Sequence, residues 1–298
     1  MQSPFLLENE GAYQTWRSRK LENYPVRLEQ IVVEVNDPRS LTQAEYQAIL
    51  QACRKTNMAV YAGKTGADPD KEIPHLLGKR YGLERLDCNM LADDDGLTSL
   101  TVVESAPRQA FIPYSNKPIK WHTDGYYNTP ERQIWGLQLH CVQSSAEGGE
   151  NALLDHEIAY LLMRDENPDF IRAFMQPDAM TIPARVEEDG VARPDSVGPV
   201  FSAHPESGDL HMRYTARTRS IAWKQDETTL AAVAFLEKLL DSDLPYIYRG
   251  RLESGMGLVS NNVLHDRAGF NDAPGKKRLL YRARYYDRIA GTGWGEGC

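Results

Sequence analysis

The chain has 298 residues, of which 41% are apolar and 26% charged, and a formal net charge of −8. That length can bury a substantial core, as one large domain or two small ones. The acidic balance argues against nucleic acid as the main partner, because phosphate binding needs a basic surface.

In chain order, residues 11–23 read as a short surface helix with Tyr13 and Trp16 on one side, and 31–35 (IVVEV) as a strand. Thr42 and Glu45 form a capping box, and Tyr46, Ile49, Leu50 and Cys53 follow helical spacing, so 42–55 is an amphipathic helix. A strand at 58–63 and a short helix at 72–82 follow. The acidic DDDG at 93–96 lacks calcium-loop spacing and reads as a solvated loop. Strands are expected at 97–104, 132–143, 179–183, 199–203, 209–215, 245–250, 256–260 and 278–287. Helices are expected at 156–167, after Pro168, and at 226–241. Many short strands, few helices and no Gly-rich βα turns favour a jelly roll with helical insertions over a doubly wound sheet. No Pro/Ser-rich linker divides 1–298, so one domain is expected, with a β core at 95–290 and an N-terminal α/β elaboration at 1–94. No apolar run spans a membrane, and MQSPFLLENEGAY is not a secretory signal. Cys53, Cys88, Cys141 and Cys298 are dispersed and read as free thiols of a reducing compartment, pointing to the cytoplasm.

The stretch KWHTDGYYN (120–128) places His122 and Asp124 two residues apart on an Asp-Gly turn, where an extended segment would let them share one face. One more histidine would complete a two-His, one-carboxylate set, which leaves three positions open on Fe(II). His75, His140, His156 and His204 read as structural or surface residues. His265 follows a strand ending in Asn261-Asn262; its rival as third ligand is His211. Downstream, RLLYRARYYD puts Arg278 and Arg282 on one strand face, about 13 Å apart when extended. If that face points inward, the guanidiniums need an anion, and arginine grips carboxylates with two parallel hydrogen bonds.

WHTDGYY at 121–127, GGEN at 148–151, PVFSAHPESGDLHMRY at 199–214 and NNVLHDRAGF…RLLYRARY at 261–285 come in the order found in one enzyme family. With them the chain resembles the Fe(II)/2-oxoglutarate dioxygenases of the TauD/TfdA type, which have a clavaminate synthase-like double-stranded β-helix. The resemblance implies Fe(II) held by His122, Asp124 and His265. It implies 2-oxoglutarate as cosubstrate, its distal carboxylate on Arg278 and Asn151 standing where the family usually has Thr. The implied reaction hydroxylates an aliphatic C–H of a small substrate with O2 and releases succinate and CO2. Arg282 matches the arginine that contacts the substrate's anion in members acting on acids. The spacing from His265 is two residues longer than the family's, so which of Arg278 and Arg282 holds the cosubstrate stays open. Tyr126, Tyr127 and Trp121 could line the pocket, and Arg213, Arg217 and Arg219 could face an anionic substrate. Two other readings compete: a non-catalytic jelly-roll module binding a metal or small acid, and a zinc hydrolase. Oligomeric state is left open.

Overall fold

The computed structural model describes residues 3–88, 93, 95–103, 108, 111–187, 190–217 and 221–296. Asp94, Glu104, Arg219 and Cys298, which figure in the expectations above, lie outside that set. Two sheets carry the core. The larger has six strands in the order Val32–Val35, Met58–Gly63, Met256–Ser260, Gly136–Gln143, Leu279–Tyr285 and Thr98–Leu100. The first two run parallel and the other pairs antiparallel. The smaller sheet, all antiparallel, runs Tyr248–Gly250, Asn151–Leu154, Leu264–Arg267 and Ile119–His122. Leu139, Leu258 and Leu280 of one sheet meet Leu153, Leu154 and Leu264 of the other in one apolar core. This is the expected double-stranded β-helix, with no sheet closed into a barrel.

Strand alternation then decides what each side chain meets. In Leu279–Tyr285, Ala283 and Tyr285 face outward into a second core with Cys53, Leu77 and Tyr81. Leu280 faces the space between the sheets, and Arg278, Arg282 and Arg284 share its face. All three arginines are largely buried there. The helix Gln43–Thr56 starts with the expected capping box: Glu45 N donates to Thr42 Oγ1 at 3.3 Å and Thr42 N donates to Glu45 Oε2 at 2.7 Å. It stops at Asn57, a left-handed residue (φ 58°).

Four expectations need correction. The strand expected at 97–104 spans only Thr98–Leu100 in the described residues, and that at 132–143 begins at Gly136 after a 3-10 turn at Pro130–Arg132. The 93–96 acids are not simply solvated, because Asp93 binds Lys71, Ser99 and Arg108. The N-terminal helix, Glu10–Leu21, is anchored rather than superficial: Lys20 is buried with Asp155 and Glu157, 2.6 Å from each. A buried cation with two carboxylates costs desolvation, but removing one partner costs more. The sequence has no local signal for this contact, since its members lie about 135 residues apart.

Three buried histidines give the fold a pH dependence. Burial pushes His140 and His156 down to about 4 and His211 down to about 3. The folded state therefore holds them neutral, while an unfolded chain protonates them below about pH 6.5. Their contribution is fully present above pH 6.5 and is lost as pH falls toward 4. At pH 5 each costs up to about 2 kcal/mol. Thermal melts should show Tm falling steadily from pH 7 to pH 5, before most carboxylates titrate; a flat Tm over that range would contradict this.

Candidate metal centre

The strand Ile119–His122 pairs antiparallel with Leu264–Arg267, and the register sets His122 directly opposite His265. Their ring centroids are 4.2 Å apart. Each ring is oriented by its own strand: His122 Nδ1 lies 2.9 Å from Lys120 O, and His265 Nδ1 lies 2.9 Å from Val263 O. A carbonyl only accepts, so both Nδ1 atoms carry a proton, which leaves Nε2 as the nitrogen each ring can turn to a metal. Burial, with His265 alongside, pushes His122 down to about 3, which keeps it neutral.

Asp124 gets there differently from the expectation. It lies in the turn after the strand, not on a shared strand face. Gly125 makes that turn with φ 70°, and a Cβ there would sit 2.4 Å from Ile134 Cγ1. Asn262 clamps the turn from across the site. Asp124 N donates to Asn262 Oδ1 at 2.8 Å, and Asn262 Nδ2 donates to Asp124 O at 2.9 Å and to Ile134 O at 2.7 Å. Losing that amide would strand the backbone N–H and carbonyl of Asp124, at about 1–3 kcal/mol each. Nothing in the residue type of Asn262 marks it in advance; its place at a strand end just before His265 is the only hint.

The ligand atoms of His122, Asp124 and His265 all lie within 4.8 Å of one another. Arg282 Nη1 donates to Asp124 Oδ1 at 3.2 Å, and Oδ2 is buried with no partner among the described residues. Burial opposes charge on Asp124, but Arg282 and Arg284 outweigh it and hold the carboxyl below the usual carboxylate range. Two neutral imidazoles, one carboxylate and an orphaned buried oxygen suit a divalent cation of the Fe(II) kind.

His211, the rival ligand, is elsewhere: its Nε2 meets Ile134 O at 3.2 Å. Arg278 is buried with its guanidinium 5.0 Å from the Phe270 ring centre, and Arg267 covers the same ring at 4.9 Å. Among the described residues no acid lies within salt-bridge distance of Arg278, and burial pushes its pKa down. Asn151 Nδ2 donates to Asp266 O at 2.7 Å, and Asn151 and His265 line one small cavity of about 30 Å³ between the sheets. Arg282, expected at the substrate, has Asp124 as its partner. Arg213, expected at a substrate or in solvent, is in neither place. It is buried and donates to the carbonyls of Tyr126, Met180, Gly198 and Ser196. Tyr126 stands edge-on to His122, 6.4 Å between ring centres.

The taurine catabolism dioxygenase TauD, TfdA family matches this chain over residues 18–284. The chain belongs to that family. The matched span takes in all three candidate ligands and the inward arginines of the TauD/TfdA chain. A uridine-5'-phosphate dioxygenase from an Amycolatopsis species is 30% identical over 171 residues, covering 55% of this chain and 60% of that relative. The chain thus matches less than two thirds of that relative's length. Among solved structures, an asparagine oxygenase bound to Fe(II), 3-hydroxyasparagine and succinate has a TM-score of 0.56 at 13% identity, covering 82% of each chain. The non-haem iron oxygenase OrfP with Fe and alpha-ketoglutaric acid has 0.58 at 18% identity, covering 82% of this chain and 80% of its own. At those identities the likeness shows the TauD/TfdA chain's fold.

Proposed function

We propose that the chain is an Fe(II)- and 2-oxoglutarate-dependent dioxygenase that hydroxylates an aliphatic C–H of a small anionic molecule. The observation that carries this reading is the convergence of His122, Asp124 and His265 beside an inward row of arginines. Bound Fe(II) and 2-oxoglutarate supply oxidative decarboxylation with O2, yielding succinate, CO2 and a hydroxylated product. The chain's own residues do the holding. His122 and His265 present neutral nitrogens, and Asp124 presents Oδ2 while Arg282 retains Oδ1. Arg278 receives the distal carboxylate of 2-oxoglutarate, because a buried guanidinium without an acid is costly until an anion arrives. Asn151 keeps its second amide hydrogen for the same cosubstrate. The arginine face argues against a zinc hydrolase or an inert module, neither of which needs a cosubstrate anion. No helix among the described residues is long and apolar enough to cross a membrane.

The relative's substrate makes uridine-5'-phosphate the first molecule to try. Under anaerobic conditions, Fe(II) and 2-oxoglutarate should give the weak visible charge-transfer band of the chelate. Admitting air should then form succinate, faster with a true substrate present. Well-folded protein showing neither band nor succinate would sink the dioxygenase reading.

A further inference from the structure

The larger sheet and the segment that follows the strand Leu210–Met212 bring several arginines toward the metal centre, and most are already committed. Arg282 holds Asp124, Arg284 holds Asp87 and the Tyr127 hydroxyl, and Arg213 staples four backbone carbonyls. Arg217 is the exception. It is half-buried, and Nη1 donates to the Tyr126 hydroxyl at 3.2 Å. Among the described residues no carboxylate pairs with it. Tyr126 touches both, its hydroxyl meeting Arg217 and its ring standing edge-on to His122, and Thr215, two residues before Arg217, forms a β-bridge with His122 itself.

A second cation lies beyond the same aromatic pair. Tyr126 and Tyr127 pack at 5.2 Å, and Arg193 sits 5.9 Å from the Tyr127 ring centre. Arg193 donates to the Pro194 carbonyl at 2.9 Å and also to that of Pro183, and the nearby Asp195 acts on its charge without pairing with it directly among the described contacts. Carbonyls satisfy donors but do not cancel charge. Two guanidiniums thus flank the Tyr126–Tyr127 pair beside the metal ligands, and among the described residues Arg217 has no carboxylate partner, in a protein whose net charge is −8.

We infer that Arg217, with the Tyr126 hydroxyl beside it and Arg193 adding field, is the receptor for the substrate's anionic group, and that this group is a phosphomonoester. This rests on the dioxygenase reading and moves the substrate anion away from Arg282. The guanidinium edge not used by Tyr126 offers further N–H donors, and the phenol adds its own O–H. A phosphate accepts from both and carries about two negative charges, which the two guanidiniums can share. A carboxylate brings one charge and one fewer oxygen to the same donors. The anion would then sit one aromatic ring from His122, setting the reacting carbon close to the phosphate in the substrate.

The test uses the full chain with Fe(II) and 2-oxoglutarate under anaerobic conditions, and two readouts. The chelate band reports the metal centre. Calorimetry with inorganic phosphate, uridine-5'-phosphate and uridine reports the anion site. Wild-type protein should bind both phosphate probes, and uridine at least about thirtyfold more weakly than its phosphate. Arg217→Gln should keep the band and lose phosphate affinity by about thirtyfold or more, with Arg217→Lys recovering part of it. Tyr126→Phe should keep the band and weaken phosphate by about fivefold. The inference is overturned if wild type binds neither phosphate probe, if Arg217→Gln binds them as wild type does, or if that variant loses the band. Absence of the band from wild type would defeat the dioxygenase reading instead, while calorimetry would still decide the fate of the anion site.

Discussion

A His265→Ala chain is expected to fold, to lose the anaerobic chelate band and to form no succinate above background. The ring is replaced at a position whose neighbours, Leu264 and Val263, pack independently of it in the apolar core. The lost group supplies one of three protein ligands, so iron affinity should fall by at least about a hundredfold, beyond the cost of losing outer support to a ligand. Equilibrium dialysis against Fe(II), or against Mn(II) as an air-stable stand-in, measures this directly. Asp124→Ala should act in the same direction, with an added penalty. It leaves Arg282 buried without its carboxylate, so its Tm should drop while that of His265→Ala holds nearly steady. Retention of the band in either variant would mean that the metal sits elsewhere.

Replacing Arg278 with Ala should leave iron binding intact and raise the KM for 2-oxoglutarate by about a hundredfold. Truncating one side of a buried charge pair costs roughly 2–5 kcal/mol, which brackets that factor. Arg278→Lys should recover only part of the loss, since an ammonium is a point charge and cannot meet a carboxylate with two parallel bonds. Pyruvate, which lacks the distal carboxylate, provides the control. If Arg278 meets that carboxylate, wild type and Arg278→Ala should use pyruvate equally poorly. A large KM effect from Arg282→Ala with none from Arg278→Ala would reverse the assignment of the two arginines.

Much of this was legible in the sequence, for identifiable reasons. The inward row of Arg278, Arg282 and Arg284 follows from period-two alternation and needs only one buried neighbour, Leu280, to fix its direction. The capping box at Thr42 is a local hydrogen-bond pattern written within four residues. What could not be read is what depends on long-range partners. The Asp124-Gly125 turn is legible as a dipeptide, whereas Asn262, which pins that turn from 138 residues away, is not. Arg213 looked like its neighbour Arg217. Only folding shows one wrapped in carbonyls and the other left facing a phenol. The buried Lys20 was invisible for the same reason.

The supports of the three ligands differ in how far they reach along the chain, and this bears on when a metal site can exist during folding. Each imidazole is aimed by a carbonyl two residues upstream, so both are set once two neighbouring strands have paired. The carboxylate is aimed by Asn262 and by Arg282, and the latter arrives with the final strand. A chain that has not docked that strand can offer iron two histidines and a poorly held acid. It also lacks Arg278, the proposed grip on the cosubstrate. On that assignment, docking of the strand Leu279–Tyr285 would complete the iron site and the cosubstrate site together, so that a chain without it would not hold a redox-active metal tightly with nothing to direct its chemistry.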